Sequence, residues 1–107
     1  MSEMTVFVAE SDERQIIGTI ACKVVNGEEG HLRGMGVRPE WQGSSVAKQL
    51  LDRAEEELRH SGCSIVTLGT TEPLNRAMRF YEKNGFKRTG RAMQFFGMPL
   101  IEYRKSL

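Results

Sequence analysis

Between His31 and Leu68 the chain reads as a strand, a loop of small residues, an amphipathic helix and a second strand. A strand–helix–strand unit of this length joins parallel strands through a right-handed crossover. That commits the chain to a sheet with a helix laid on it. Ala47, Leu50, Leu51, Ala54 and Leu58 recur at helical spacing and form the apolar stripe. Lys48, Asp52, Arg53, Glu55, Glu56 and Arg59 fill the other positions, with the i,i+4 pairs Lys48–Asp52 and Glu55–Arg59, and this run reads as a solvated face. Ser61-Gly62 stops the helix, and Ser64-Ile65-Val66-Thr67-Leu68 is the short apolar strand after it. The loop before the helix, Gln42-Gly43-Ser44-Ser45-Val46-Ala47, has two readings. Small residues let backbone N–H groups converge beside the positive end of a helix, which suits a phosphate. The same residues also serve a plain change of direction.

Upstream, Thr5–Glu10 is a β-branched and aromatic strand, and Ser11-Asp12-Glu13-Arg14 is a turn. Gln15 to Val25 is a second strand, with Ile16, Gly18, Ile20, Cys22 and Val24 expected on one face. Asn26-Gly27 makes a hairpin turn and His31–Val37 returns, giving an antiparallel meander. Gly34-Met35-Gly36 inside that third strand marks a bulge, which either accommodates twist or frees backbone groups for a ligand. Downstream, Thr70-Thr71-Glu72-Pro73 leads into a helix with Leu74, Ala77, Met78 and Tyr81 on one face, closed by Asn84-Gly85. Phe86–Arg91 and Pro99–Lys105 read as two last strands, with Ala92 to Met98 unassigned between them. The resulting order is βββ-α-β-α-ββ, an α+β fold with a mixed sheet.

A chain of 107 residues suits one domain over residues 1–107. A net charge of +1 gives no electrostatic case for nucleic acid or an anionic membrane. No apolar segment is long enough to span a bilayer and the start is not that of a secretory signal, so a cytoplasmic protein is the default expectation. Cys22 and Cys63 stand apart without a CxxC or Cys/His cluster, and read as reduced, buried thiols rather than a disulfide or metal site.

Two stretches now combine: Val37-Arg38-Pro39-Glu40-Trp41-Gln42-Gly43-Ser44-Ser45-Val46-Ala47, and Asn75-Arg76-Ala77-Met78-Arg79-Phe80-Tyr81-Glu82-Lys83-Asn84-Gly85-Phe86. The pair resembles the cofactor motif V-x-P-x-x-[QR]-x-x-G-x-[GA] and the later helix N-x-x-A-x-x-[LF]-Y-x-x-x-G-F of the GNAT superfamily of N-acetyltransferases, from about Thr5 to the end of the chain. The resemblance implies acetyl-CoA lying between two splayed parallel strands, here His31–Val37 and Ser64–Leu68. It implies a pyrophosphate on backbone N–H groups of Gln42, Gly43, Ser44, Ser45, Val46 and Ala47, and pantetheine amides on the backbone of Met35 and Val37. It further implies that Asn75 bonds the pantetheine arm, that a strand N–H near Met35 stabilises the carbonyl oxygen, and that Tyr81 is the general acid. Periodicity alone reads Tyr81 as a core residue with a satisfied hydroxyl. His31 stands where the family often has a glutamate that relays the amine proton, with Glu28 and Glu29 beside it.

Three departures accompany the match. Ser45 replaces the central glycine of the loop, where its Cβ is expected to crowd a pyrophosphate or to resist the required φ. Asn75 lies one residue nearer to Ala77 than the family's asparagine, and Leu74 takes the matching position. The usual N-terminal strand and helices are not present in the sequence, leaving sheet edge and apolar surface for a second copy to cover, so a homodimer is expected. The leading reading is transfer of an acetyl group from acetyl-CoA to a primary amine of a small molecule or peptide. The alternatives are a CoA-binding or regulatory module with little catalysis, and a small interaction domain without CoA. Met93, Phe95, Phe96 and Met98 read as core or interface packing.

Overall fold

The meander forms as expected from β1 (Thr5–Glu10), β2 (Ile16–Val24) and β3 (Glu29–Val37). The computed structural model describes residues 4–71, 75–95 and 97–107, with backbone alone at 71, 75, 92, 93 and 95. A 3-10 turn at Pro39–Trp41 leads to α1 (Val46–His60), then β4 (Ile65–Thr71), α2 (Asn75–Lys83), β5 (Lys87–Phe95) and β6 (Met98–Ser106). The sheet order is β1-β2-β3-β4-β6-β5, with β3 and β4 as the parallel pair and every other pair antiparallel. Of the unassigned stretch, residues 92–95 continue β5 and pair with β6, with Phe95 opposite Met98. Met98 is exposed there, and the side chains of Met93, Phe95 and Phe96 lie outside the described residues.

α1 packs its stripe on the β1–β2–β3 half of the sheet. Val46, Leu50, Leu51, Ala54 and Leu58 are buried with Ile20, Cys22, Leu32 and Val66. The helix lies close: a Cβ at Gly18 would stand 2.9 Å from Leu50 Cδ1 and 3.1 Å from the Gly36 carbonyl oxygen. Cys22 and Cys63 are both free and buried, and burial pushes both thiols above their ordinary range. No helix among the described residues is long and apolar enough to cross a membrane.

Two sequence expectations give way. Ile16 is exposed and Ile17 is buried, because Ala9 faces Gly18 while Glu10 faces Ile16. Ile17 is the extra residue of a bulge, and one inserted residue switches the side chains before it to the other face. The Glu55 carboxylate is also not solvated. It is 2% exposed, and Lys105 Nζ from β6 donates to its two oxygens at 2.9 and 3.0 Å, with Arg59 Nη2 at 3.4 Å. The helical spacing was compatible with either environment, since β6 reaches this position only through the folded sheet.

Candidate active site

The sheet opens between its parallel strands. β3 and β4 pair only from Glu29 with Ile65 to His31 with Thr67, whereas β4 stays paired with β6 along its whole length. The separation begins where β3 is bulged: Thr19 faces Gly36 and Ala21 faces Arg33, leaving Gly34 and Met35 opposite one residue of β2. Gly34 sits at φ +62, a conformation costly for a side-chain-bearing residue, and Thr19 Oγ1 donates to its carbonyl at 3.0 Å. The Gly-Met-Gly signal was therefore a true bulge.

Beyond it, Arg38 N–H is spent on the Ile17 carbonyl of β2 at 2.8 Å. Backbone groups alternate sides along a strand, so Val37 and Met35 present theirs toward the gap. The gap is a cleft of about 260 Å³ that passes through the sheet. Ala77 and Tyr81 of α2 wall it on the helix face, Arg33 and Leu100 on the other, with Met35 and Gly69 at its sides.

Tyr81 is placed by the end of its own helix. Gly85 at φ +95 terminates α2, Phe86 N–H donates to the Tyr81 carbonyl at 3.0 Å, and Gly85 N–H donates to Glu82 at 3.2 Å. This is a Schellman closure, in which the residue after the glycine also packs on the residue five before it. The Tyr81 and Phe86 rings meet edge-on at 5.7 Å, and Tyr103 tilts against Tyr81 at 6.4 Å. The spacing Tyr-x-x-x-Gly-Phe thus aims a tyrosine into the cleft. Tyr81 is 8% exposed, and burial pushes its hydroxyl up to about 12. No described residue hydrogen-bonds that hydroxyl. The partner that a core tyrosine would have is not among the described residues; the buried hydroxyl with a built partner is that of Tyr103, bonded to Glu82 at 2.9 Å and Arg88 at 3.3 Å.

The loop after β3 forms a cradle of backbone donors. Gly43 takes φ +84, Gln42 N–H bonds Pro39 and Ser44 N–H bonds Trp41. Val46 N–H is taken by Ser44 Oγ at 3.3 Å, and its side chain is buried in the core. The N–H groups of Gly43, Ser45, Ala47 and Lys48 have no partner among the described residues. The exposed Gln42 side chain bridges two groups: Nε2 donates to the Val37 carbonyl at 3.1 Å and Oε1 accepts from Arg76 Nη1 at 2.7 Å. Ser45 has φ −81, an ordinary backbone, and its hydroxyl accepts from Gln49 at 2.7 Å. The expected conflict between serine and φ is absent, so Ser45→Gly is expected to change the affinity of this loop for acetyl-CoA by less than about threefold. A gain of 10-fold or more by calorimetric titration would restore crowding by Cβ as the governing term.

The remaining candidates divide. Asn75 opens α2, and its side chain lies outside the described residues. His31 occupies the last paired position of β3, just short of the cleft lining, with Nδ1 3.0 Å from Thr67 Oγ1. Burial first, then Arg33 and Lys23, hold its imidazole below the ordinary 6.5, against the opposite pull of Glu29 and Glu102. Arg33 and Arg76 were not singled out in the sequence. An arginine on a strand or in an exposed first helical turn carries no local mark of function. A second hollow, of about 230 Å³, lies between β1, β2 and the end of α1 and is lined by Cys22, Lys23, Glu57 and Ser61 among others. Among the described residues no three His, Cys, Asp or Glu side chains gather as a metal site.

A mixed six-stranded sheet split between its parallel strands, with a helix packed beside the split and a loop of open N–H groups after β3, defines an α+β class. The profile of the acetyltransferase (GNAT) family matches residues 1–86, and the chain belongs to this family of N-acetyltransferases. It is 31% identical to an aminoglycoside N(6′)-acetyltransferase type 1 from Stenotrophomonas maltophilia, over 92% of this chain and 69% of that protein. The crystal structure of a GNAT acetyltransferase from Staphylococcus aureus Mu50 superposes with TM-score 0.88 at 22% identity, over 97% of this chain and 68% of that one. A GNAT acetyltransferase from Elizabethkingia anophelis with acetyl-CoA bound superposes with TM-score 0.81 at 17% identity, over 95% of this chain and 75% of that one.

Proposed function

We propose that the chain transfers an acetyl group from acetyl-CoA to a primary amine of a small molecule or peptide, by direct attack. The observation that carries this reading is the cleft, where β3 parts from β4 beside a Tyr81 hydroxyl that has no hydrogen-bond partner among the described residues, with the open N–H groups of the loop following β3. The donor set fits the group: open N–H groups suit phosphates, and strand amides suit the amides of pantetheine. Acetyl-CoA supplies a thioester whose carbonyl accepts the amine and whose thiolate leaves. The Met35 N–H stabilises negative charge on the carbonyl oxygen. Tyr81 protonates the departing sulfur, and its raised pKa keeps the proton available at working pH. Similarity to a protein named as an aminoglycoside N-acetyltransferase supports an amine acceptor. Calorimetric titration with acetyl-CoA, followed by thiol release over a panel of amines, tests the proposal. Absence of binding at millimolar acetyl-CoA would end it, and binding without turnover would leave a CoA-binding module.

His31 is the proposed acceptor of the amine proton, through water, because its ring stands short of the cleft. A base works only when neutral, and this imidazole is held below 6.5. Rate with a given amine is therefore expected to stay level near neutral pH and to gain an acid limb only below 6.5. An identical limb in His31→Ala would assign it to another group. A homodimer is proposed from the exposed Val6 and Val8 on β1, which forms one edge of the sheet. A monomer at micromolar concentration by light scattering would remove it.

A further inference from the structure

The donor loop from Gln42 to Ala47 contains no charged residue, and Lys48 at its end is turned to Asp52. The fold brings a cation to the loop from a distant part of the chain. Arg76, exposed in the first turn of α2, places Nη1 2.7 Å from Gln42 Oε1. Gln42 is itself held by Nε2 on the Val37 carbonyl, so both ends of its amide are occupied and its orientation is set. A guanidinium has five N–H donors, and the single neutral acceptor that Arg76 has among the described residues leaves its charge and most of its donors available. We infer that Arg76 is the residue that pairs with the pyrophosphate of acetyl-CoA over the Gln42–Ala47 loop, and that Gln42 is a positioning residue that aims it. The inference rests on the reading of that loop as the acetyl-CoA seat. Its physical basis is division of labour: backbone N–H groups supply direction, and an arginine fork supplies the charge-assisted bonds to phosphate oxygens.

The test compares wild type, Arg76→Ala and Arg76→Gln by titration with acetyl-CoA and with 3′-dephospho-CoA. Arg76→Gln removes the charge while keeping a polar chain, which separates charge from packing. Both variants are expected to weaken acetyl-CoA binding by about 10-fold or more, with a weaker dependence on salt than wild type. The loss is expected to be the same with 3′-dephospho-CoA and absent when acetyl-pantetheine is the acetyl donor in a turnover assay. Affinities within about twofold of wild type overturn the role of Arg76 while leaving the acetyl-CoA reading intact. A loss that vanishes with 3′-dephospho-CoA overturns it in favour of the ribose phosphate. An equal fall with acetyl-pantetheine overturns it by showing that α2, with Tyr81, has moved. Failure of wild type to bind acetyl-CoA removes both readings together.

Discussion

Replacing Tyr81 with phenylalanine is expected to lower kcat by about 100-fold or more while the dissociation constant for acetyl-CoA stays within about twofold. Assistance by a positioned acid contributes on the order of 10²–10⁴ to a rate, and a hundredfold corresponds to about 2.7 kcal/mol in the barrier. The variant isolates the hydroxyl. Phenylalanine keeps the ring that packs on Phe86 and Tyr103, and no described residue loses a hydrogen bond with it. A phenol pushed up to about 12 looks too weak an acid for a thiolate. The apolar surroundings that raise it also raise the basicity of a thiolate formed beside it, which brings the two toward balance. The same shift keeps Tyr81 protonated, so no alkaline loss of rate from this group is expected up to about pH 10. Single-turnover thiol release across pH measures both. Unchanged turnover in Tyr81→Phe would sink the acid role, and equal losses in rate and affinity would make Tyr81 a wall of the cleft.

The largest effect on stability is expected at Glu55. Its carboxylate is bonded at both oxygens by Lys105, and the Lys105 ammonium also lies 5.6 Å from the Phe86 ring centre. This pair ties α1 to β6 beside the turn that closes α2. Glu55→Ala is expected to destabilise the fold by about 3 kcal/mol, because it leaves an ammonium facing apolar surroundings. Lys105 is 22% exposed, which lets the orphaned charge reach some water and keeps the cost at the low end for broken buried pairs. The paired change Glu55→Leu with Lys105→Met is expected to cost less than about 1 kcal/mol, since apolar replacement also removes the desolvation penalty. Urea unfolding reads this as a shift of midpoint at unchanged slope. A cost below about 0.5 kcal/mol for Glu55→Ala would return Glu55 to the class of ordinary solvated helix residues.

Much of the fold was legible because its signals are local. The Asn26-Gly27 hairpin, the stripe of α1, the bulge at Gly34–Met35 and the closure of α2 at Gly85 each depend on neighbours within a few residues. The Tyr81 spacing belongs to the same group, since the Schellman closure alone carries its ring toward Phe86. What failed depended on partners far along the chain. Ile17 replaces Ile16 in the core because β1 pairs across a bulge. Glu55 is buried because β6 arrives fifty residues later.

The two segments of the site illustrate the division. Periodicity, turn residues and the small-residue loop determined that β3 is bulged, that a helix follows the Gln42–Ala47 loop and that Asn84-Gly85 closes α2 just after Tyr81. These follow from spacings of two to five residues, over which backbone geometry is nearly independent of the rest of the chain. Tertiary structure alone decided that β4 leaves β3 after His31 to follow β6, which opens the cleft and sets His31 just outside it. It alone brought Arg76 across to Gln42, thirty-four residues away in sequence. Register and long-range approach are settled by which elements pack against which, and a local pattern carries no record of that choice.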